Sequence, residues 1–251
     1  MLKCKLISYS NLKCVSSSVT RHKILFGYLE NNQITSPKRK HLKYSTSNNG
    51  PWKVLFFGND AFSLENINAL NIAYRERGLL QCLEVVSSNK ETPVAKYAKK
   101  YNIKLHSWPS DIKEKVFDIG VVASFGYLIP SRIIKLFPLG IINVHGSILP
   151  KWRGAAPVTY ALINGDTETG ISILKILPKK FDVGAIIIQE KIEIHPEETR
   201  IELEKKLARI GADLLIKTIT QLPDILTTAK SQTEEGVTYG KKILINLCIN
   251  N

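Results

Sequence analysis

Gly140-Ile141-Ile142-Asn143-Val144-His145-Gly146-Ser147-Ile148-Leu149-Pro150-Lys151-Trp152-Arg153-Gly154-Ala155-Ala156-Pro157 decides how the chain reads. An apolar run opens it and ends at Asn143. Polar residues then fall close together, at Asn143, His145 and Ser147. From Pro150 to Pro157 the segment is bounded by proline and glycine and cannot continue a strand. A buried strand that delivers into a constrained polar loop is what an α/β fold places at the carboxyl end of its sheet. In open sheets that end holds the ligand crevice.

Outward toward the N-terminus, the chain alternates strand and helix. Lys53-Val54-Leu55-Phe56-Phe57-Gly58 is a short apolar run closed by glycine, the pattern of a buried parallel strand. Asn59 and Asp60 are suited to cap a helix running roughly from Ala61 to Arg77. Only one glycine marks this turn, so the GxGxxG dinucleotide fingerprint is missing, and no P-loop lysine follows. The unit is Rossmann-like, with a nicotinamide cofactor disfavoured. Further strands are expected at Leu83 to Val86, Lys104 to His106 and Asp118 to Ser124, with helices at Thr92 to Lys100 and Ser131 to Leu136. Phe125-Gly126-Tyr127 would then turn at the same end of the sheet as Asn143. Short connections and right-handed crossovers make this an α/β, doubly wound, mostly parallel sheet.

Outward toward the C-terminus, Val158 to Asn164 reads as a short helix ended by Gly165. Thr169 to Ile176 and Ala185 to Ile194 are β-branched runs flanking the polar excursion Pro178–Gly184. That is an antiparallel hairpin with Asp182 at its tip. Pro196-Glu197-Glu198 reads as a helix start, with proline in the first turn and acids where the helix dipole favours them. Leu203, Leu207, Ile210 and Leu214 recur on one face, and Pro223 ends the helix.

Residue types at the centre point to a chemistry. Asn143 and His145 are two apart, so on a strand they share a face. An amide beside an imidazole suits a carbonyl that becomes a tetrahedral oxyanion: the amide N–H stabilises the charge and the imidazole donates or shuttles a proton. Asp182, folded over from the hairpin, could orient His145 or help deprotonate an incoming amine. No GxSxG elbow is present, so Ser147 is a poor covalent nucleophile, and direct acyl-type transfer is the better reading. Lys151, Trp152 and Arg153 fit either a solvated loop or a phosphate-contacting patch.

Composition bounds the rest. The chain has 251 residues, 44% of them hydrophobic, enough for one sizeable core. The net charge is +13, of which +8 falls in residues 1–50, where nine Lys/Arg meet a single acid, Glu30. That segment is also rich in Ser, Thr and Asn, the composition of an organellar transit peptide rather than a secretory signal. No apolar run approaches the roughly 18 to 20 residues of a membrane span. Four cysteines without a CxxC or a His/Cys cluster argue for a reducing compartment, against a disulfide framework and against a structural zinc. Nothing indicates an oligomer, and a monomer is expected.

The stretch Ile142 to Pro157 closely resembles the signature of the methionyl-tRNA formyltransferase family. Phe56-Phe57-Gly58, Gly165-Asp166-Thr167-Glu168-Thr169-Gly170 and Phe181-Asp182-Val183-Gly184 match further family blocks in order. The region around Pro178 to Gly184 looks like the mitochondrial branch. The resemblance covers about Trp52 to Ile243. It implies transfer of the formyl group of 10-formyltetrahydrofolate to the amino group of methionine on initiator tRNA, in the mitochondrial matrix, with no metal. It makes Asn143, His145 and Asp182 the catalytic residues. It makes Ser147, Ile148, Leu149 and Pro150 the folate-contacting loop. The domains expected are a transit peptide over 1–50, a formyltransferase catalytic domain over 51–222, and a linker with an atypical tail over 223–251. Two departures stand out. The loop Ser87 to Pro93 is shorter than the basic loop of bacterial relatives. Family members also continue past Val237-Thr238-Tyr239 into a tRNA-binding β-barrel of about a hundred residues, whereas the tail Leu244 to Asn251 resembles nothing in the family. A truncated isoform, or a gene model reading through an intron, would account for this tail, and it leaves tRNA affinity open. Two other readings share these residues: a formyltransferase of the same fold acting on a small amine, and a folate-binding or inert protein.

Overall fold

Val54 to Phe57 are fully buried, and alternate residues enter different cores. Val54 and Phe56 join one apolar cluster, Leu55 and Phe57 a second on the opposite face. Only a strand covered on both faces does this. It is the centre of the computed structural model, which describes residues 50–109, 112 and 116–243. The transit-peptide expectation over residues 1–50, Gly50 apart, and the tail Leu244 to Asn251 lie outside the described residues.

The strands are β1 (Trp52–Gly58), β2 (Leu80–Ser87), β3 (Lys104–Ser107), β4 (Ile119–Ala123), β5 (Ile141–His145), β6 (Arg153–Gly154), β7 (Glu168–Lys175), β8 (Ile186–Glu193) and β9 (Tyr239–Gly240). The helices are α1 (Ala61–Glu76), α2 (Pro93–Lys100), α3 (Ser131–Ile134), α4 (Pro157–Ile163) and α5 (Arg200–Thr220), with a 3₁₀ turn over Asp224–Thr228. Seven strands form one sheet in the order β3-β2-β1-β4-β5-β7-β8. The first five run parallel; β7 pairs antiparallel with both β5 and β8. This is the mostly parallel α/β sheet with an antiparallel hairpin that the sequence predicts. The two-residue strands β6 and β9 pair separately, in parallel.

The two faces are covered unequally. The face of Val54 and Phe56 carries the apolar sides of α1, α2, α4 and α5, and α1 packs along α5. The other face carries α3 and an aromatic layer of Phe57, Phe117, Phe125 and Phe137. Register lines up Phe57, Val122, Asn143 and Leu174 across β1, β4, β5 and β7. Across these four strands the row is apolar except at Asn143.

The start of the last helix differs most plainly from the sequence expectation. Pro196 does not open the last helix: residues 196–197 form a turn, and α5 starts at Arg200. The reason is the capping box Thr199-Arg200-Ile201-Glu202. The Thr199 hydroxyl accepts from the Glu202 N–H, and the Glu202 carboxylate accepts from the Thr199 N–H at 2.9 Å. Two reciprocal bonds outweigh proline's preference for the first turn. Leu203, Leu207 and Leu214 are buried as their spacing requires, and Ile210 is half-buried against them.

Candidate active site

Asn143 and His145 stand on β5, two residues apart, and both line a cavity of about 500 Å³ at the carboxyl end of the parallel strands. A site of this size suits a small organic ligand. Its wall includes Val122 and Leu174 from the same register row, the turn Phe125 to Ile129 after β4, and Ala155, Ala156 and Pro157 at the start of α4. Asp60, Asp182 and Glu204 supply acids; Lys175, Lys180, Arg200 and Lys242 supply bases.

Asp182 arrives from the connection between β7 and β8. Its Oδ1 accepts from Asn143 Nδ2 at 2.9 Å, and its Oδ2 accepts from the Gly154 N–H at 2.9 Å. His145 Nδ1 lies 3.6 Å from Asp182 Oδ1, beyond hydrogen-bond reach but within ion-pair reach. His145 Nε2 is 2.9 Å from the Trp152 carbonyl. A carbonyl only accepts, so Nε2 carries the proton and Nδ1 is the nitrogen free to gain or lose one. The imidazole and the carboxylate are both almost fully buried.

The backbone geometry that delivers Asp182 is specific. Its φ is +53°, the left-handed region that aspartate tolerates better than most residues. Two residues on, Gly184 passes so close to β7 that a Cβ there would stand 1.7 Å from the Lys175 carbonyl oxygen. Gly154, with φ +113°, brings its N–H to the carboxylate while its backbone meets Gly240.

The loop after β5 is locked from below. Ser172 Oγ, opposite His145 in the register, donates to the Ser147 carbonyl at 2.6 Å and accepts from the Leu149 N–H at 3.0 Å. Gln189 Nε2 donates to Ser172 Oγ and to the Leu149 carbonyl. Ser147 is fully buried, its hydroxyl donating to the Lys151 carbonyl at 2.6 Å. Of the sequence-predicted site residues, the structure thus brings Asn143, His145 and Asp182 together. It does not bring Ser147, Ile148, Leu149 or Pro150 to the cavity wall. Leu149 and Pro150 instead border a separate cleft with Ile188, Gln189 and Gln232.

The basic tripeptide Lys151-Trp152-Arg153 is tied into the fold rather than left as a solvated loop. Lys151 Nζ and Trp152 Nε1 both bind Asp166, at 2.7 and 2.6 Å. The Arg153 side chain is buried and forks onto Gln232 Oε1 through Nε at 3.0 Å and Nη2 at 2.9 Å. Residues past the last helix close over this loop. Thr238 accepts from Trp152 N through its hydroxyl and from Arg153 N through its carbonyl.

Sequence reasoning also missed Asn59. It reads as a cap, yet Asp60 caps α1. The Asn59 amide ties three strand ends together: Nδ2 donates to the Phe125 carbonyl at 2.6 Å, and Oδ1 accepts from Ser87 Oγ and Ser88 N at 2.9 Å. The parting of the chain between β1, β2 and β4 at this point was the available signal. Among the described residues no group of three or more His, Cys, Asp or Glu is arranged to hold a metal ion, and no helix is long and apolar enough to cross a membrane. Cys82 is a free thiol, pushed up by burial and by Glu84.

The mostly parallel sheet carries a cavity at its carboxyl end, and residues 60–219 match the family model described as formyl transferase. The chain belongs to the formyl transferase family. It is 46% identical over 199 residues to the mitochondrial methionyl-tRNA formyltransferase of Homo sapiens, covering 77% of this chain and 51% of that protein. It is 36% identical over 208 residues to the methionyl-tRNA formyltransferase of Buchnera aphidicola, covering 76% and 64%. The chain thus spans about half the length of the mitochondrial relatives it matches. In fold it is similar to the N-formyltransferase of Helicobacter canadensis, solved with folinic acid and dTDP-3-aminofucose, at a TM-score of 0.64 and 20% identity over 80% of this chain and 75% of that one. It is also similar to phosphoribosylglycinamide formyltransferase of Bacillus halodurans, at a TM-score of 0.60 and 24% identity over 68% and 94%.

Proposed function

We propose that this chain transfers the formyl group of 10-formyltetrahydrofolate to the amino group of methionyl-tRNA, in the mitochondrial matrix. The observation that carries the reading is the convergence of Asn143, His145 and Asp182 at one wall of the cavity. The 44 to 46% identity to four mitochondrial methionyl-tRNA formyltransferases supports the choice of substrate.

In this reading the amine nitrogen attacks the formyl carbon, and the former carbonyl oxygen takes up negative charge. Asn143 Nδ2 has two protons; one is held by Asp182, and the other is available to the oxyanion. His145, protonated on Nδ1, lies beside it as a second donor. Asp182 stabilises that imidazolium and offers the nearby carboxylate through which the attacking nitrogen loses its proton. The bond from the formyl carbon to the folate nitrogen then breaks, and the proton goes to that leaving nitrogen. Atoms and charge balance without a covalent enzyme intermediate, which agrees with a Ser147 hydroxyl turned into the fold. The apolar wall of Val122, Phe125, Ile129 and Leu174 suits the flat ring of a folate better than the Ser147 to Pro150 loop, which does not line the cavity.

The catalytic unit of this proposal takes in residues 51–222 and also Gln232 to Gly240, which hold the Trp152 to Gly154 loop. The test is formyl transfer by the full chain, with labelled 10-formyltetrahydrofolate and methionyl-tRNA as acceptor. Glycinamide ribonucleotide and a free amino sugar serve as rival acceptors. Formylation of methionyl-tRNA above both rivals is the expected result. Comparable formylation of a small amine would overturn the substrate, and folate binding without transfer to any acceptor would overturn the activity.

A further inference from the structure

Gln232 lies 50 residues beyond Asp182, in a stretch of coil, yet all four hydrogen-bonding positions of its amide are used. Oε1 accepts from Arg153 Nε and Nη2 at 3.0 and 2.9 Å. Nε2 donates to the Asp182 carbonyl at 2.8 Å and to the Gly184 carbonyl at 2.9 Å. The amide cannot be reversed, because its NH₂ would then face the guanidinium. Arg153 is buried, and no carboxylate pairs with it among the described residues. Its fork is spent on Gln232. The neighbouring Gly154 N–H binds the carboxylate of the same Asp182.

We propose that Gln232 is a positioning residue for Asp182, relaying the buried Arg153 guanidinium onto the main chain of the Asp182–Gly184 turn. Asp182 needs such a hold because its backbone is left-handed and, among the described residues, no hydrogen bond between main-chain groups holds residues 182–184. Side-chain hydrogen bonds fix its two carboxylate oxygens; Gln232 fixes the peptide from which the side chain hangs. Loss of the relay lets the carboxylate drift from Asn143 and His145, and misplacement by about 1 Å is worth about a hundredfold in rate.

The inference rests on the proposed role of Asp182, so its test has one arm that needs no turnover. In the full chain, Gln232→Met keeps the shape and removes the polar atoms. Gln232→Glu keeps an acceptor for Arg153 and sets oxygen against both carbonyls. Both variants are expected to lower kcat by about ten- to a hundredfold, with KM for the formyl donor held within about twofold. Amide hydrogen exchange at Gly154 is expected to rise at least about tenfold in both, since its acceptor has loosened. If the parent chain transfers no formyl group, the proposed function fails while the exchange measurement still decides the relay. Parental exchange at Gly154 in either folded variant would overturn it. So would a lowered Tm with turnover and exchange unchanged, which is what a merely structural residue would give.

Discussion

Asp182 Oδ1 accepts a hydrogen bond from Asn143 Nδ2 at 2.9 Å, across 39 residues of chain. The contact joins the central parallel strand to the turn of an antiparallel hairpin. It leaves one amide proton of Asn143 facing the cavity and places the carboxylate beside His145.

Asp182→Asn tests the carboxylate with little change of shape. Both of its oxygens accept from N–H donors, Asn143 on one side and Gly154 on the other. An amide sets a donor against one of them. Turnover is expected to fall by about a hundredfold or more, with folate affinity retained, as read by single-turnover formyl transfer beside direct binding of the donor.

Asn143→Ala removes the proposed oxyanion donor and frees Asp182. A loss of about a hundred- to a thousandfold in kcat is expected, again with the donor still bound. Near-parental turnover in a folded protein would remove Asn143 from the mechanism.

Gly184→Ala places a methyl 1.7 Å from a backbone carbonyl that cannot move without breaking the β7 edge. The expected cost is about 2 kcal/mol or more, measured by chemical denaturation. Turnover should fall further than the loss of folded protein explains, because the turn also carries Asp182.

Thr199→Ala takes away half of the capping box of α5. About 1 kcal/mol of stability should be lost, a fall of about 2 to 4 °C in Tm. Thr199 itself is not on the cavity wall, although Arg200 and Glu204 of the same helix reach it, so any change in kcat is expected to be small beside the fall in Tm.

Glu204, on the cavity wall, responds to pH. Burial pushes its carboxyl above the ordinary 4.5, against the opposing pull of Arg200. A carboxyl raised in the folded state favours folding when protonated. That contribution is complete below 4.5 and is lost as pH rises through the raised value. Glu204→Gln is neutral throughout. Thermal melts should therefore show it more stable than the parent at neutral pH, with the advantage shrinking as pH falls toward 4.5. An advantage independent of pH would show that charge is not its source.

The fold was legible where apolar period and turn residues agree. Val54 to Phe57, Ile119 to Ala123 and Ile141 to Val144 are short runs between Gly, Pro or Asp, and all became buried parallel strands. Where two local signals competed, sequence reading chose wrongly: Pro196 was visible, but the Thr199–Glu202 box set the start of α5. Asn143 and His145 were legible as a pair because the pleat puts residues two apart on one face.

The amino-acid sequence by itself determined the α/β class, the end of the sheet that bears the site, and the pairing of Asn143 with His145. All of these follow from periods and turns read within a few residues. Only the tertiary structure decided what Asp182 touches, that Arg153 turns inward, that Ser147 to Pro150 are packed away from the cavity, and that Gln232 closes over the turn. The physical reason is the kind of group involved. Many of the partners there are main-chain groups, such as the Trp152 and Gly184 carbonyls and the Gly154 N–H, that every sequence carries and no side-chain pattern marks. They come into register only when segments tens of residues apart are brought together by packing.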